Sequence, residues 1–312
     1  MKDINKVSII GMGALGLLFG TPIRENLGNG QPQYIMDAER KARHEKEVYS
    51  INGKEVQLHM VTPEEAEPAD LLLVGLKYPA LKAGLETAAL CVNEDTIIIS
   101  LMNGVDSEEI IGERFGKEKV LYSVSQEMDA QRYGSEMVYS QAGRLFVGVP
   151  HTADAETQKI LTEKLDRVCA FFDQVKFPYK REENILYRQW CKYMVNTGCN
   201  QTTMVFDKPY GECLKDGSLE YAVMISAMRE VCLIAQKKGI PVGEKELHEY
   251  TDILRGLDPN AVPSMGQDRR QKRKSEVDMF SGTIMRYGKE LGVATPANDY
   301  LNRRVHEIES GY

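Results

Sequence analysis

A chain of 312 residues with 42% apolar and 27% charged residues has an ordinary globular composition, long for one domain and comfortable for two. It holds no run of about 18 apolar residues, so no membrane span is expected. Its start, MKDINKVSII, lacks the apolar stretch of a signal peptide, and a net charge of −7 argues against nucleic acid as the main partner.

The charge is uneven: residues 1–178 hold 19 Lys+Arg against 27 Asp+Glu, and residues 179–312 hold 20 against 19. Six cysteines (91, 169, 191, 199, 213 and 232) form no C-x-x-C pair, and no histidine lies within ten residues of Cys191 or Cys199. Buried, reduced thiols in a cytoplasmic protein are therefore expected, with neither a disulfide framework nor a metal site.

Residues 7–20, VSIIGMGALGLLFG, read as a short strand that turns at Gly11 into a helix. Gly11, Gly13 and Gly16 complete G-x-G-x-x-G, which serves a tight turn, close backbone approach to a pyrophosphate, and close helix–strand packing. The N–H groups of the first helical turn, at Ala14, Leu15 and Gly16, then offer the positive end of the helix dipole to phosphate. A second strand, PQYIMD (32–37), ends in Asp37, 21 residues after Gly16. That is where an acidic side chain accepts from the ribose 2′-hydroxyl of NAD. Arg40, Lys41 and Arg43 follow and suit a 2′-phosphate instead, so the residues leave NAD(H) and NADP(H) both open.

DLLLVGLK (70–77) and DTIIISLMNG (95–104) are continuous apolar runs, as strands buried on both faces are. They deliver Lys77 and Asn103-Gly104 beyond the carboxyl ends of strands, where an open α/β sheet binds its ligands. Residues 119–149 read as added strands and a hairpin extending the sheet, 154–172 as a helix, and DQVKFP (173–178) as a last strand. Pro178 marks the boundary. The expected fold class is α/β, with a Rossmann-type dinucleotide-binding domain over 1–178 and an all-α domain over 179–312.

The second half is helical over 182–206, 217–238, 244–256, 264–291 and 297–309, with helix-ending signals at 239–241 and 292–296. In WCKYMVNTGCNQ (190–201), Lys192, Asn196 and Asn200 recur at spacings of four beside Tyr193, Met194 and Val195, which read as core. The spacing lays the three polar residues on one slowly drifting stripe, expected to face the cleft where the halves meet. A solvated face is the bland alternative. The basic run RRQKRK (269–274) reads as a solvated helix face.

These segments resemble the ketopantoate reductases (2-dehydropantoate 2-reductases) over nearly the whole chain. The resemblance rests on GMGALG, on GLK ending at Lys77, and on NG at 103–104. It rests further on the stripe of Lys192, Asn196 and Asn200, and on PSMGQDRRQKRKSEVD, where Glu276 follows Ser264 by twelve residues. It implies hydride transfer from NADPH to the keto carbon of ketopantoate, giving pantoate for coenzyme A synthesis; NADP(H) is the implied cofactor, with NAD(H) left open. It also implies Lys192 as general acid, Asn103 and Asn196 as substrate-positioning groups, and Asn200 with them on the substrate stripe. Ser264 is implied to bind the substrate carboxylate, and Glu276 to engage both the substrate hydroxyl and the lysine. Lys77, with Asn103 and Glu276, is implied to lie by the nicotinamide.

The expected partner is a small 2-oxo acid, with neither nucleic acid nor membrane, and a homodimer is left open. Ala261 stands where the family commonly has an asparagine, and Met102 where a polar residue is usual. A paralogue reducing another branched 2-oxo acid is therefore the alternative. A dinucleotide-binding regulator without turnover is the other rival, and it would not need Lys192, Ser264 and Glu276 together.

Overall fold

A computed structural model of the protein describes residues 3–28 and 30–312. The chain divides into two compact units, Met1–Ile185 and Leu186–Tyr312.

The strands of the first unit are β1 (Val7–Ile10), β2 (Gln33–Ile35), β3 (Tyr49–Ile51), β4 (Lys54–Val56), β5 (His59–Val61), β6 (Leu71–Val74), β7 (Ile97–Ser100), β8 (Val120–Met128), β9 (Gln131–Tyr133), β10 (Glu136–Val138), β11 (Ala142–Gly148) and β12 (Tyr179–Arg181). Its helices are α1 (Ala14–Asn26), α2 (Ala38–His44), α3 (Leu81–Ala88), α4 (Ser107–Phe115) and α5 (Ala155–Gln174). Eight strands form one sheet in the order β12-β11-β8-β7-β6-β1-β2-β5, parallel except where β8 meets β11. The apolar runs are buried on both faces: Ile9, Leu71, Leu73, Ile97 and Ile99 on one side, Ile10, Leu72, Val74 and Ile98 on the other. The chain leaves β1 toward β2 on one flank and β6 on the other. Beyond their carboxyl ends lies the crevice expected of a doubly wound sheet.

Two expectations need correction. Of the strands expected over 119–149, β8 and β11 extend the main sheet, but β9 and β10 leave it. They join β3 and β4 in a separate sheet of order β4-β3-β10-β9. Residues 173–178 are not a strand but the end of α5 and its turn. Phe177 folds back so that its N–H donates to the Phe172 carbonyl at 2.8 Å, and the two rings stack at 4.0 Å. The apolar alternation there is helix-end packing. The last strand, β12, comes after Pro178 and pairs with β11, so the first unit runs on to Ile185.

The second unit carries α6 (Ile185–Val195), α7 (Gln201–Phe206), α8 (Tyr210–Cys213), α9 (Leu219–Lys237), α10 (Glu244–Arg255), α11 (Ser264–Arg270), α12 (Thr283–Leu291) and α13 (Pro296–Glu309). The helix expected over 182–206 is interrupted by a π turn at Asn196–Asn200. The one expected over 264–291 stops at Arg270 and resumes through a second π turn, Asp278–Gly282. The break falls at the basic run, where Lys272 takes φ +51°. Several of its cations are held locally. Arg269 donates to the carbonyls of Met204 and Val205, Arg273 pairs with Asp268 at 2.8 Å, and Lys274 with Glu309 at 3.6 Å. The rings of Trp190 and Tyr193 on α6 pack against each other, and against Tyr287 on α12 and Phe280 in the second π turn respectively, with centroids about 6 Å apart. The α13 start is capped from a distance, because the Glu230 carboxylate on α9 accepts from the N–H groups of Ala297 and Asn298. Among the described residues no helix is long and apolar enough to cross a membrane, and no cluster of metal-ligating side chains is present.

Candidate functional site

In the first unit the glycine-rich turn builds a cavity of about 390 Å³ at the β1–β6 crevice, lined by Gly11, Gly13, Asp37, Arg40 and Lys77 together with residues of α3. Two of the glycines are explained by the protein itself. Gly11 takes φ +103°, and a Cβ on Gly16 would stand 2.0 Å from the Gly11 carbonyl oxygen. Gly13 is different. Its backbone is extended at φ −74°, ψ −177°, and a Cβ there would meet only the Gly75 carbonyl oxygen at an ordinary 3.7 Å. Protein packing does not require a glycine at 13; the space opens to the cavity. Helix α1 begins there with no side-chain cap and no acidic residue in its first turn, which leaves N–H groups of Ala14, Leu15 and Gly16 for an anionic ligand. The residues present thus fit a pyrophosphate.

At the far end of the cavity, Asp37 caps α2, accepting from the Arg40 N–H at 2.8 Å, and its second oxygen lies 3.4 Å from the Arg40 guanidinium. Arg43, His44 and Arg132 complete this wall. Lys41, also basic, is drawn away to Glu65 at 2.5 Å. Lys77 follows β6 and is exposed. Asn103 follows β7 at intermediate exposure, and neither it nor Glu276 lines the cavity. The loops carrying Lys77 and Asn103 are joined by a 2.6 Å hydrogen bond from the Tyr78 hydroxyl to the Asp106 carboxylate.

In the second unit, the three stripe residues sit at the α6 end and along the first π turn. Lys192 occupies the last turn of α6, Asn196 opens the π turn, and Asn200 closes it. In an α-helix, four residues overshoot a full turn by about 40°; in the wider i→i+5 turn they fall short of one. The two offsets oppose each other, so the π turn straightens the stripe. Asn200 is buried, and its amide donates to Ser264 Oγ at 3.3 Å, which leaves the hydroxyl proton of Ser264 to donate elsewhere. Lys192 is half-buried. Burial pushes its ammonium down to about 8, and the Glu276 carboxylate works against that by favouring the charged form. Glu276 stands just before the second π turn.

Two sequence signatures described as Ketopantoate reductase PanE/ApbA, one for the C-terminal part, match residues 7–151 and 184–309. The chain belongs to the ketopantoate reductase family. It is 25% identical over 312 residues to a 2-dehydropantoate 2-reductase of Streptococcus pyogenes serotype M3, covering 97% of this chain and 98% of that one. It is 24% identical to a 2-dehydropantoate 2-reductase of Aquifex aeolicus, covering 98% and 97%. A PanE/ApbA family ketopantoate reductase from Ralstonia eutropha shares the fold, with a TM-score of 0.80 at 22% identity over 98% of this chain and 99% of that one.

Within this ketopantoate reductase fold the structure brings together Asn200 with Ser264, and Lys192 with Glu276. It gathers Gly11, Gly13, Asp37, Arg40 and Lys77 around one cavity. The sequence reading missed His44 and Arg132. Arg132 lies 120 residues from the glycine turn, on β9 of the small sheet, and donates to the Met12 carbonyl, to Tyr49 Oη at 3.3 Å and to the Gly134 carbonyl at 2.7 Å. No local signal marks it, because only the unexpected pairing of β10 with β3 brings it there. Asn260, one step from the position where the family commonly has an asparagine, is exposed, and its backbone is tied to Asp258.

Proposed function

We propose that this protein reduces the keto carbon of 2-dehydropantoate to the alcohol with NADPH as hydride donor, in a cytoplasmic setting. The dinucleotide, when bound, supplies the hydride. Everything else falls to the chain. Hydride arrival at a ketone develops negative charge on its oxygen, and an ammonium aimed there stabilises that charge and delivers the proton. Lys192 is that ammonium. The observation that carries the reading is its environment: a lysine brought by burial to about 8 and steadied by Glu276 is poised to give up a proton near neutral pH, which an exposed lysine is not. Ser264, with its hydroxyl oriented by Asn200, donates to the substrate carboxylate. Asn196 and Asn103 hold the substrate through amides that do not titrate, and Glu276 accepts from the substrate hydroxyl. The unit that ends at Ile185 serves as the dinucleotide domain and the helical unit from Leu186 onward as the catalytic domain.

NADPH is favoured by charge. Lys77, Arg40, Arg43 and Arg132 line the cavity against the single carboxylate of Asp37, an excess of cations that an additional phosphate satisfies. A second reading, NADH with Asp37 on the ribose, is favoured by that carboxylate. A third concerns the substrate: Met102, buried beside Asn103, and Ala261 suit a different branched 2-oxo acid. One experiment separates them. Purified protein is assayed at nicotinamide absorbance with NADPH or NADH against a panel of 2-oxo acids. Oxidation of NADPH fastest with 2-dehydropantoate is expected, and no turnover with any 2-oxo acid would overturn the reading.

A further inference from the structure

Lys192 and Glu276 come from segments 84 positions apart in sequence, and neither helix alone sets their separation. The residue next to Lys192 bridges them. Tyr193 is 1% exposed, and its hydroxyl lies 2.6 Å from the carbonyl oxygen of Phe280 and 3.0 Å from that of Met279. Both carbonyls belong to the second π turn, which begins two residues after Glu276. The segment is fixed from its other side as well, since the Glu276 carbonyl accepts from the N–H groups of Met279 and Phe280. One phenol thus ties the Lys192 helix to the turn whose backbone holds Glu276. π turns shift the ordinary pairing of carbonyls and concentrate at functional sites. Here a side chain supplies the donor that fixes one of them.

We propose that Tyr193 is a positioning residue of this reductase: by bonding the carbonyls of Met279 and Phe280 it sets the Glu276 carboxylate against the Lys192 ammonium and so keeps the proton donor charged. The proposal rests on the reading of Lys192 as the proton donor. Its chemistry is that of a hinge pin, and no proton passes through the phenol. The Glu276 carboxylate acts on Lys192 in favour of its charged form. Loosening the turn therefore weakens that opposition to burial, and burial favours the neutral amine.

The test is Tyr193→Phe, which keeps the ring that packs against Trp190 and Phe280 and deletes only the hydroxyl. Three quantities are measured in wild type and variant: kcat and KM for the 2-oxo acid across pH 6–10, the dissociation constant for NADPH, and the pH dependence of Lys192 labelling by an amine-directed reagent, read by mass spectrometry. The expected result is a fall of roughly one unit in both the alkaline limb and the labelling midpoint. This carries a drop of about fivefold in kcat at pH 8, with the NADPH dissociation constant unchanged. A purely structural role predicts a lower Tm with kcat, limb and midpoint unmoved, and that result would overturn the proposal. Should Tyr193→Phe fail to fold, Phe280→Leu, which disturbs the same turn with the hydroxyl in place, decides between the same two outcomes. Lys192→Ala is run beside them. If it retains near-normal turnover, the reading of Lys192 falls; if it is inactive while Tyr193→Phe matches wild type, only the role of Tyr193 falls.

Discussion

Replacing Lys192 tests the chemistry most directly. Burial brings its ammonium from 10.5 to about 8, which corresponds to roughly 3 kcal/mol in favour of the neutral amine. With Lys192 as the proposed proton donor the active form is the protonated one, so the rate is expected to be full below that value and lost as pH rises through it. About nine tenths of the molecules carry the proton at pH 7 and about one tenth at pH 9, so kcat is expected to fall roughly tenfold over that interval. Lys192→Ala removes the donor and is expected to lower kcat by on the order of 10²–10⁴, to abolish the alkaline limb, and to leave NADPH binding intact. Lys192→Arg is expected to fail as well, because a guanidinium keeps its proton throughout the working range. Glu276→Gln removes the opposing carboxylate and should move the limb to lower pH. The assay is the pH–rate profile of each variant with NADPH followed by absorbance. An alanine variant that keeps both its rate and its limb would refute the reasoning and leave the stripe as a structural polar face.

The glycine turn makes a paired prediction. Gly13→Ala should fold with an unchanged Tm yet bind dinucleotide at least about tenfold more weakly by fluorescence titration, whereas Gly16→Ala, whose Cβ meets the Gly11 carbonyl oxygen at 2.0 Å, should lose stability by about 1–3 kcal/mol or more in thermal unfolding. Arg40→Gln should raise the KM for NADPH by about tenfold or more with little change for NADH; equal losses would hand the wall to Asp37 and the ribose. Ser264→Ala should raise the KM for the 2-oxo acid by about 10- to 100-fold with a smaller change in kcat, as loss of a hydrogen bond to a charged group does. If Ser264→Ala instead lowers kcat at constant KM, the hydroxyl acts in the chemical step.

Much of this was readable from the sequence because it is written in local periodicity. The apolar runs ending at Lys77 and Asn103 could only be strands buried on both faces, and the glycine spacing after VSII announces its own ligand. What stayed hidden depends on distant pairing. The small sheet forms from β3, β4, β9 and β10, three residues each, too short for alternation to register. It alone carries Arg132 to the cavity. The turn at Phe177 imitates a strand because its two phenylalanines pack as a helix end. The π turns were hidden for another reason: Asn196–Asn200 and Asp278–Gly282 are rich in poor helix formers, but weak propensity inside a continuous helical pattern does not say that the helix widens by one residue. The spacing of Lys192, Asn196 and Asn200 gave the stripe its membership but not its straightness.

A π turn is an α-helix carrying one residue too many, and this gives the stripe an unusual sensitivity to length. Removing any one residue between Lys192 and Asn200 would let the segment relax into a plain helix with its backbone bonds intact and its hydrophobic neighbours little disturbed. In the relaxed helix Asn200 would follow Lys192 by seven residues, within about 20° of two full turns, so those two would still share a face. A residue lost before Asn196 would instead leave that asparagine three positions after Lys192, about 60° short of a full turn, so it is the place of Asn196 on the stripe that depends on the length of the segment.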